Sequence, residues 1–143
     1  SIRQAVVDGA KLITGGDQDG AFVQPAIVAN VNPYSAFAQD ELFGPAVAVS
    51  TARDLGHAIE LANSTAYGLG AGIFTNNMNN TIQAIREIES GVVHINWTQL
   101  WRADLMPYGG FKSSGIGKEG LRSAVNEMTE VKTVIMHGSP WKN

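Results

Sequence analysis

Short apolar runs alternate with stretches of helical spacing along this chain, and that alternation limits the folds open to it. Ile2, Ala5 and Val6 share one face of a helix over residues 2–8, with Gly9 as its C-terminal cap and no cap visible before it. Residues 10–14 read as a strand, 15–20 as a turn, and 22–31 as a second apolar run, together a hairpin with a long loop. Residues 45–50 read as another strand. Thr51 is then the expected N-cap, with Asp54 completing a capping-box variant. Leu55, Ala58, Ile59 and Ala62 follow at amphipathic helical spacing.

Residues 67–69 lead into an expected buried strand over 71–75. Asn79 or Asn80 caps a helix whose apolar face is Ile82, Ile85 and Ile88, and Ser90-Gly91 ends it. A strand over 92–96, an irregular stretch over 97–117, a helix over 118–128 and a terminal strand over 130–137 complete the pattern. The expectation is an α/β fold, a partly parallel sheet with flanking helices.

Composition narrows the function. A chain of 143 residues is one domain's worth, and 44% apolar residues with a net charge of -3 exclude a disordered chain. Lys+Arg 10 against Asp+Glu 13 argues against nucleic acid as a partner. No run is long enough for a signal peptide or a membrane span, so a cytoplasmic location is expected and no membrane partner. The N-x-[ST] matches at Asn63, Asn79 and Asn96 read as chance. There is no cysteine, hence no disulfide, no thiolate ligand and no thiol nucleophile.

Several motifs fail their own context tests. Asp17, Asp19 and Gly20 lack calcium-loop spacing. His57, His94 and His137 lie too far apart in sequence for a recognisable metal pair and read as structural. Gly115-Ile116-Gly117-Lys118-Glu119-Gly120 matches G-x-G-x-x-G but follows no strand, so it reads as a glycine-rich loop ending at a helix N-terminus.

Two segments carry more. Asp40-Glu41-Leu42-Phe43-Gly44-Pro45 sets two carboxylates and an aromatic before a forced turn, either a site or an acidic surface turn. Residues 96–112 gather Trp97, Trp101, Arg102, Asp104, Tyr108 and Phe111. Aromatics with one arginine suit an apolar pocket for an anionic group. The alternative is a loop packed on itself, with Arg102 paired to Asp104.

Five segments together resemble the aldehyde dehydrogenase superfamily. They are Gly9-Ala10-Lys11-Leu12-Ile13-Thr14-Gly15-Gly16; the Asp40 to Pro45 segment; Ala62-Asn63-Ser64-Thr65-Ala66-Tyr67-Gly68-Leu69-Gly70-Ala71-Gly72-Ile73-Phe74-Thr75; Pro107-Tyr108-Gly109-Gly110-Phe111-Lys112-Ser113-Ser114-Gly115 running on to Gly120; and Thr129-Glu130-Val131-Lys132-Thr133-Val134. They occur in the family's order and cover nearly the whole chain.

The resemblance is to the C-terminal portion of a much longer family chain. It implies that residues 1–128 are the C-terminal part of the catalytic domain, and 129–143 an oligomerisation strand and tail. In the family a cysteine thiolate attacks the aldehyde, hydride passes to NAD or NADP, and a glutamate activates water to hydrolyse the thioester. Both residues lie upstream of the matched segments. The chain is therefore expected to be a fragment that lacks the nucleophile and has no dehydrogenase activity alone. The alternative is a free-standing, non-catalytic binding or assembly module of the same fold.

By motif position, Glu41 resembles the acceptor for the nicotinamide-ribose hydroxyls, and Phe43 the aromatic beside the nicotinamide. Trp97, Trp101, Arg102 and Tyr108 fall in the loop that lines the family's substrate tunnel. The three aromatics would be its apolar walls. Arg102 would bind the charged end of a small anionic aldehyde. Homo-oligomers are the family's usual state.

Overall fold

The computed structural model of the chain describes residues 1–138. The expected α/β alternation is present, and the sheets are partly parallel. Helix α1 (Ile2–Val7) leads into β1 (Lys11–Thr14). A two-residue ladder, β2 (Gln18–Asp19) against β3 (Phe22–Val23), occupies the expected turn, and β4 (Ala26–Ala29) returns antiparallel to β1. The apolar run over 22–31 is thus two strands rather than one. Gln24-Pro25 divides it, and proline has no N–H to continue a ladder. Gly15 lies so close to the Pro25 carbonyl that a Cβ there would overlap it, and its φ of +70° also requires glycine.

Helix α2 (Ala36–Gln39) carries the chain to β5 (Ala46–Val49), which lies parallel to β4, so this sheet runs β1-β4-β5. Side chains alternate across it. Ala26, Val28, Ala46 and Ala48 turn toward α1 and α2, where Ala5, Val28, Val31 and Phe37 form the core. Ile27, Val47 and Val49 turn to the opposite face, which is open.

Helix α3 (Leu55–Asn63) starts at Asp54, whose carboxylate accepts from the His57 N–H at 2.8 Å. Asp54 is thus the N-cap, not Thr51. The backbone turns extended at Asp54, and an N-cap oxygen must sit two or three residues before the N–H that it satisfies. Strand β6 (Tyr67–Gly68) precedes β7 (Gly70–Ile73), and helix α4 (Met78–Glu87) crosses to β8 (Val92–Ile95), parallel to β7. Its N-cap is Asn77, which accepts from the N–H groups of Asn79 and Asn80. The two expected caps are therefore the groups being capped.

Strand β9 (Phe111–Lys112) pairs antiparallel with β6, and α5 (Leu121–Met128) follows the glycine loop. It begins after Gly120, at φ +114°, rather than at Lys118, because that backbone is outside the helical region. The strand expected over residues 130–137 is absent. These residues pair with no strand among the described residues and stand exposed. A strand exists only through its ladder partner. The end of the expected tail, 139–143, lies outside the described residues. No helix among the described residues is long and apolar enough to cross a membrane.

Candidate functional site

The turn after α2 presents Glu41 and Phe43. The chain leaves the helix extended at Asp40, then closes tightly, with the Gly44 N–H donating to the Leu42 carbonyl and Ala46 to Gly44, both at 2.9 Å. Leu42 packs on the core. Its neighbours on either side are consequently turned away from the core, and Phe43 is 95% exposed. The Glu41 carboxylate makes no hydrogen bond among the described residues. It borders a groove of about 660 Å³ whose other walls include Tyr67, Leu69, Leu100, Tyr108 and Ser114. Phe43 faces a separate hollow of about 540 Å³ with Ile2, Phe22 and Val23.

The aromatic loop lies close over β7 because two glycines leave room. A Cβ on Gly72 would sit 2.6 Å from the Trp97 carbonyl oxygen, and one on Gly70 would sit 3.2 Å from Gln99 Cβ. Trp97 and Trp101 are each about half exposed. Trp101 meets His94 of β8 edge-on, with ring centres 6.2 Å apart. The buried His94 Nε2 has no hydrogen-bond partner among the described residues.

Arg102 pairs with Glu119, Nη1 to Oε2 at 3.0 Å, and its guanidinium lies 4.5 Å from the centre of the Tyr108 ring. The partner is therefore not Asp104. Tyr108 and Glu119 are bridged backbone to backbone, N–H to carbonyl at 3.0 and 2.6 Å, which brings a carboxylate seventeen positions away beside the arginine. The Arg102 side chain remains 41% exposed.

A glycine knot supports this loop. A Cβ on Gly91 would overlap the Gly109 carbonyl oxygen, so the end of the α4–β8 turn touches the chain beside Tyr108 directly. Lys118 Nζ donates to that same carbonyl at 3.1 Å and sits 5.0 Å from the Phe111 ring centre. The lysine of the G-x-G-x-x-G match is thus spent on the chain's own backbone. Lys112, in the left-handed region at φ +54°, pairs with Glu89 at 2.6 Å and donates to the Asn63 carbonyl at 2.7 Å. Ser114 Oγ accepts from the Gly68 N–H at 2.9 Å.

Glu41 and Tyr108 thus share a groove, and Arg102 lies over the Tyr108 ring, whereas Trp101 stands against His94 outside that groove. Phe43 lies outside that groove but borders a smaller hollow of about 380 Å³ together with Glu41. Sequence reasoning missed Glu119, Lys112 and Ser114. Their partners are non-local, and only the motif around residues 107–120 marked their neighbourhood.

A profile described as the aldehyde dehydrogenase family matches residues 1–134. A 3-sulfolactaldehyde dehydrogenase from Priestia aryabhattai is 43% identical over 95% of the chain and 28% of its own length. A lactaldehyde dehydrogenase from Methanococcus maripaludis is 40% identical over 95% of the chain and 29% of its own length. Among solved structures, aldehyde dehydrogenase 21 from Physcomitrella patens, in complex with the reaction product succinate, superposes with a TM-score of 0.90. It is 38% identical, with 94% of this chain and 28% of that one covered. Glyceraldehyde-3-phosphate dehydrogenase from Methanocaldococcus jannaschii, complexed with NADP, gives 0.88 at 38% identity, over 94% of this chain and 29% of that one. The chain spans less than a third of the length of these relatives, and it belongs to the aldehyde dehydrogenase family.

Proposed function

We propose that this chain is the C-terminal part of the catalytic portion of an NAD(P)-dependent aldehyde dehydrogenase that oxidises a small anionic aldehyde to the acid. The observation that carries the reading is the half-exposed guanidinium of Arg102, seated on Tyr108 at the edge of an aromatic loop. A planar donor fork beside apolar walls recognises a carboxylate, sulfonate or phosphate. Among the molecules named with the similar proteins, sulfolactaldehyde, glyceraldehyde 3-phosphate and succinate carry an anionic group, whereas lactaldehyde carries none.

Glu41 and Phe43 fit the ribose and nicotinamide of the dinucleotide. Glu41 offers a carboxylate with no hydrogen bond among the described residues, an acceptor for two vicinal hydroxyls, and Phe43 offers an exposed aromatic face on the same turn. NAD or NADP supplies the hydride acceptor when bound. Trp97, Trp101 and Tyr108 line the substrate's path, and residues 130–137 pair with a second subunit.

The chain contains no cysteine, so another part of the enzyme supplies the thiolate. Surface area supports the same reading. The chain exposes 11070 Å², against about 7,100 Å² for a compact 15.2 kDa monomer. The purified 143-residue chain is expected to turn over no aldehyde with either NAD or NADP, and turnover would overturn the fragment reading. In the enzyme that includes the upstream cysteine, Arg102→Leu is expected to raise KM for an anionic aldehyde by about tenfold, the loss of one charge-assisted contact. An equal rise for a neutral aldehyde of similar size removes Arg102 from that role.

A further inference from the structure

We infer that Glu119 is the positioning residue that aims Arg102 at the anionic end of the substrate, an inference that rests on Arg102 binding that end. A guanidinium carries five N–H donors in a rigid plane. Glu119 takes Nη1, and the Tyr108 ring supports the flat face. The edge formed by Nε and Nη2 donates to no described residue, and it is the edge that can receive a bidentate oxyanion.

Glu119 is itself held. Its N–H donates to the Tyr108 carbonyl and its carbonyl accepts from the Tyr108 N–H. The carboxylate therefore springs from backbone locked to the residue whose ring carries the guanidinium. The support and the pin move as one body. An unpinned arginine would lose its rotamer freedom on binding, and here much of that loss precedes the ligand. Glu119 also carries a negative charge, which repels an incoming anion. Positioning and repulsion predict opposite signs when the side chain is removed, so the two are separable.

Succinate, a non-reacting dicarboxylate, is the probe. The enzyme that includes the upstream cysteine is titrated by calorimetry, and its Arg102 Nε–H resonance is followed by NMR, assigned through Arg102→Lys. Glu119→Ala is expected to weaken succinate by about fivefold, within the range for immobilising one long side chain, and to speed rotation about the guanidinium bonds. Glu119→Gln keeps an oxygen for Nη1 without the charge, and is expected to bind within about twofold of the unsubstituted enzyme or tighter. Circular dichroism checks that both variants fold, since the Tyr108–Glu119 bridge uses backbone atoms only.

Unchanged or tighter binding in Glu119→Ala, with binding lost in Arg102→Leu, overturns the role of Glu119 alone. Binding that survives Arg102→Leu, or is absent from the unsubstituted enzyme, overturns the anion site and with it this inference.

Discussion

Gly91 shows how one residue governs the site from outside it. Its missing side chain allows contact with the Gly109 carbonyl, one residue from Tyr108. Adding a methyl forces backbone from backbone, because the atoms it overlaps are the main-chain carbonyl of Gly109. Gly91→Ala is expected to cost about 2 kcal/mol or more of stability, read as a lower urea midpoint at unchanged slope. An unchanged midpoint would show that the Gly91 and Gly109 segments separate freely. Arg102 teaches a complementary lesson. Its residue type suggested the proposed anion site, while its partner could not be read locally. Asp104 was the nearest carboxylate, yet the bridge between Tyr108 and Glu119 delivers another.

Most elements formed near where their periods placed them, the strand over 130–137 being the exception, and helix starts were set by side-chain hydrogen bonds at α3 and α4. Asn77 caps α4 through its side-chain oxygen, at 2.9 and 3.4 Å from two N–H groups. Asn77→Ala is expected to destabilise the chain by about 1 kcal/mol, measured by thermal or urea unfolding, whereas Asn79→Ala should change little. Equal losses would return the cap to the position the sequence suggested. The segment over 129–137 lacks a partner strand among the described residues, and Val131, Val134 and Met136 are exposed along it. Its amides are expected to exchange with solvent within seconds to minutes in the isolated chain and to be protected in the assembled enzyme, as local stability without a ladder is small. Slow exchange in the isolated chain would contradict the pairing role proposed for it.

For the whole molecule, area decides. The core is small, centred on Ala5, Val28, Val31 and Phe37, while Ile27, Val47 and Val49 and the α5 residues Leu121, Val125 and Met128 lie open. An exposed excess of this size favours association. The isolated chain is therefore expected to bind a hydrophobic dye and to sediment as concentration-dependent oligomers. A dye-free monomer at every concentration would favour the free-standing module.

The sequence by itself determined the alternation of elements, the α/β class, the family and the absence of a thiol nucleophile, and it marked the short segments proposed to carry chemistry. These are properties of spacing and residue type, and they survive without knowledge of contacts. Only the tertiary structure decided which carboxylate holds Arg102, that Glu41 rather than Phe43 shares a groove with Tyr108, and that Lys118 serves its own backbone. Each depends on atoms brought together across many residues by β-pairing and glycine close approach. A local pattern carries no record of such distances. The open faces belong to the same class. A helical or strand period marks an apolar side, but only packing shows whether anything in the chain covers it.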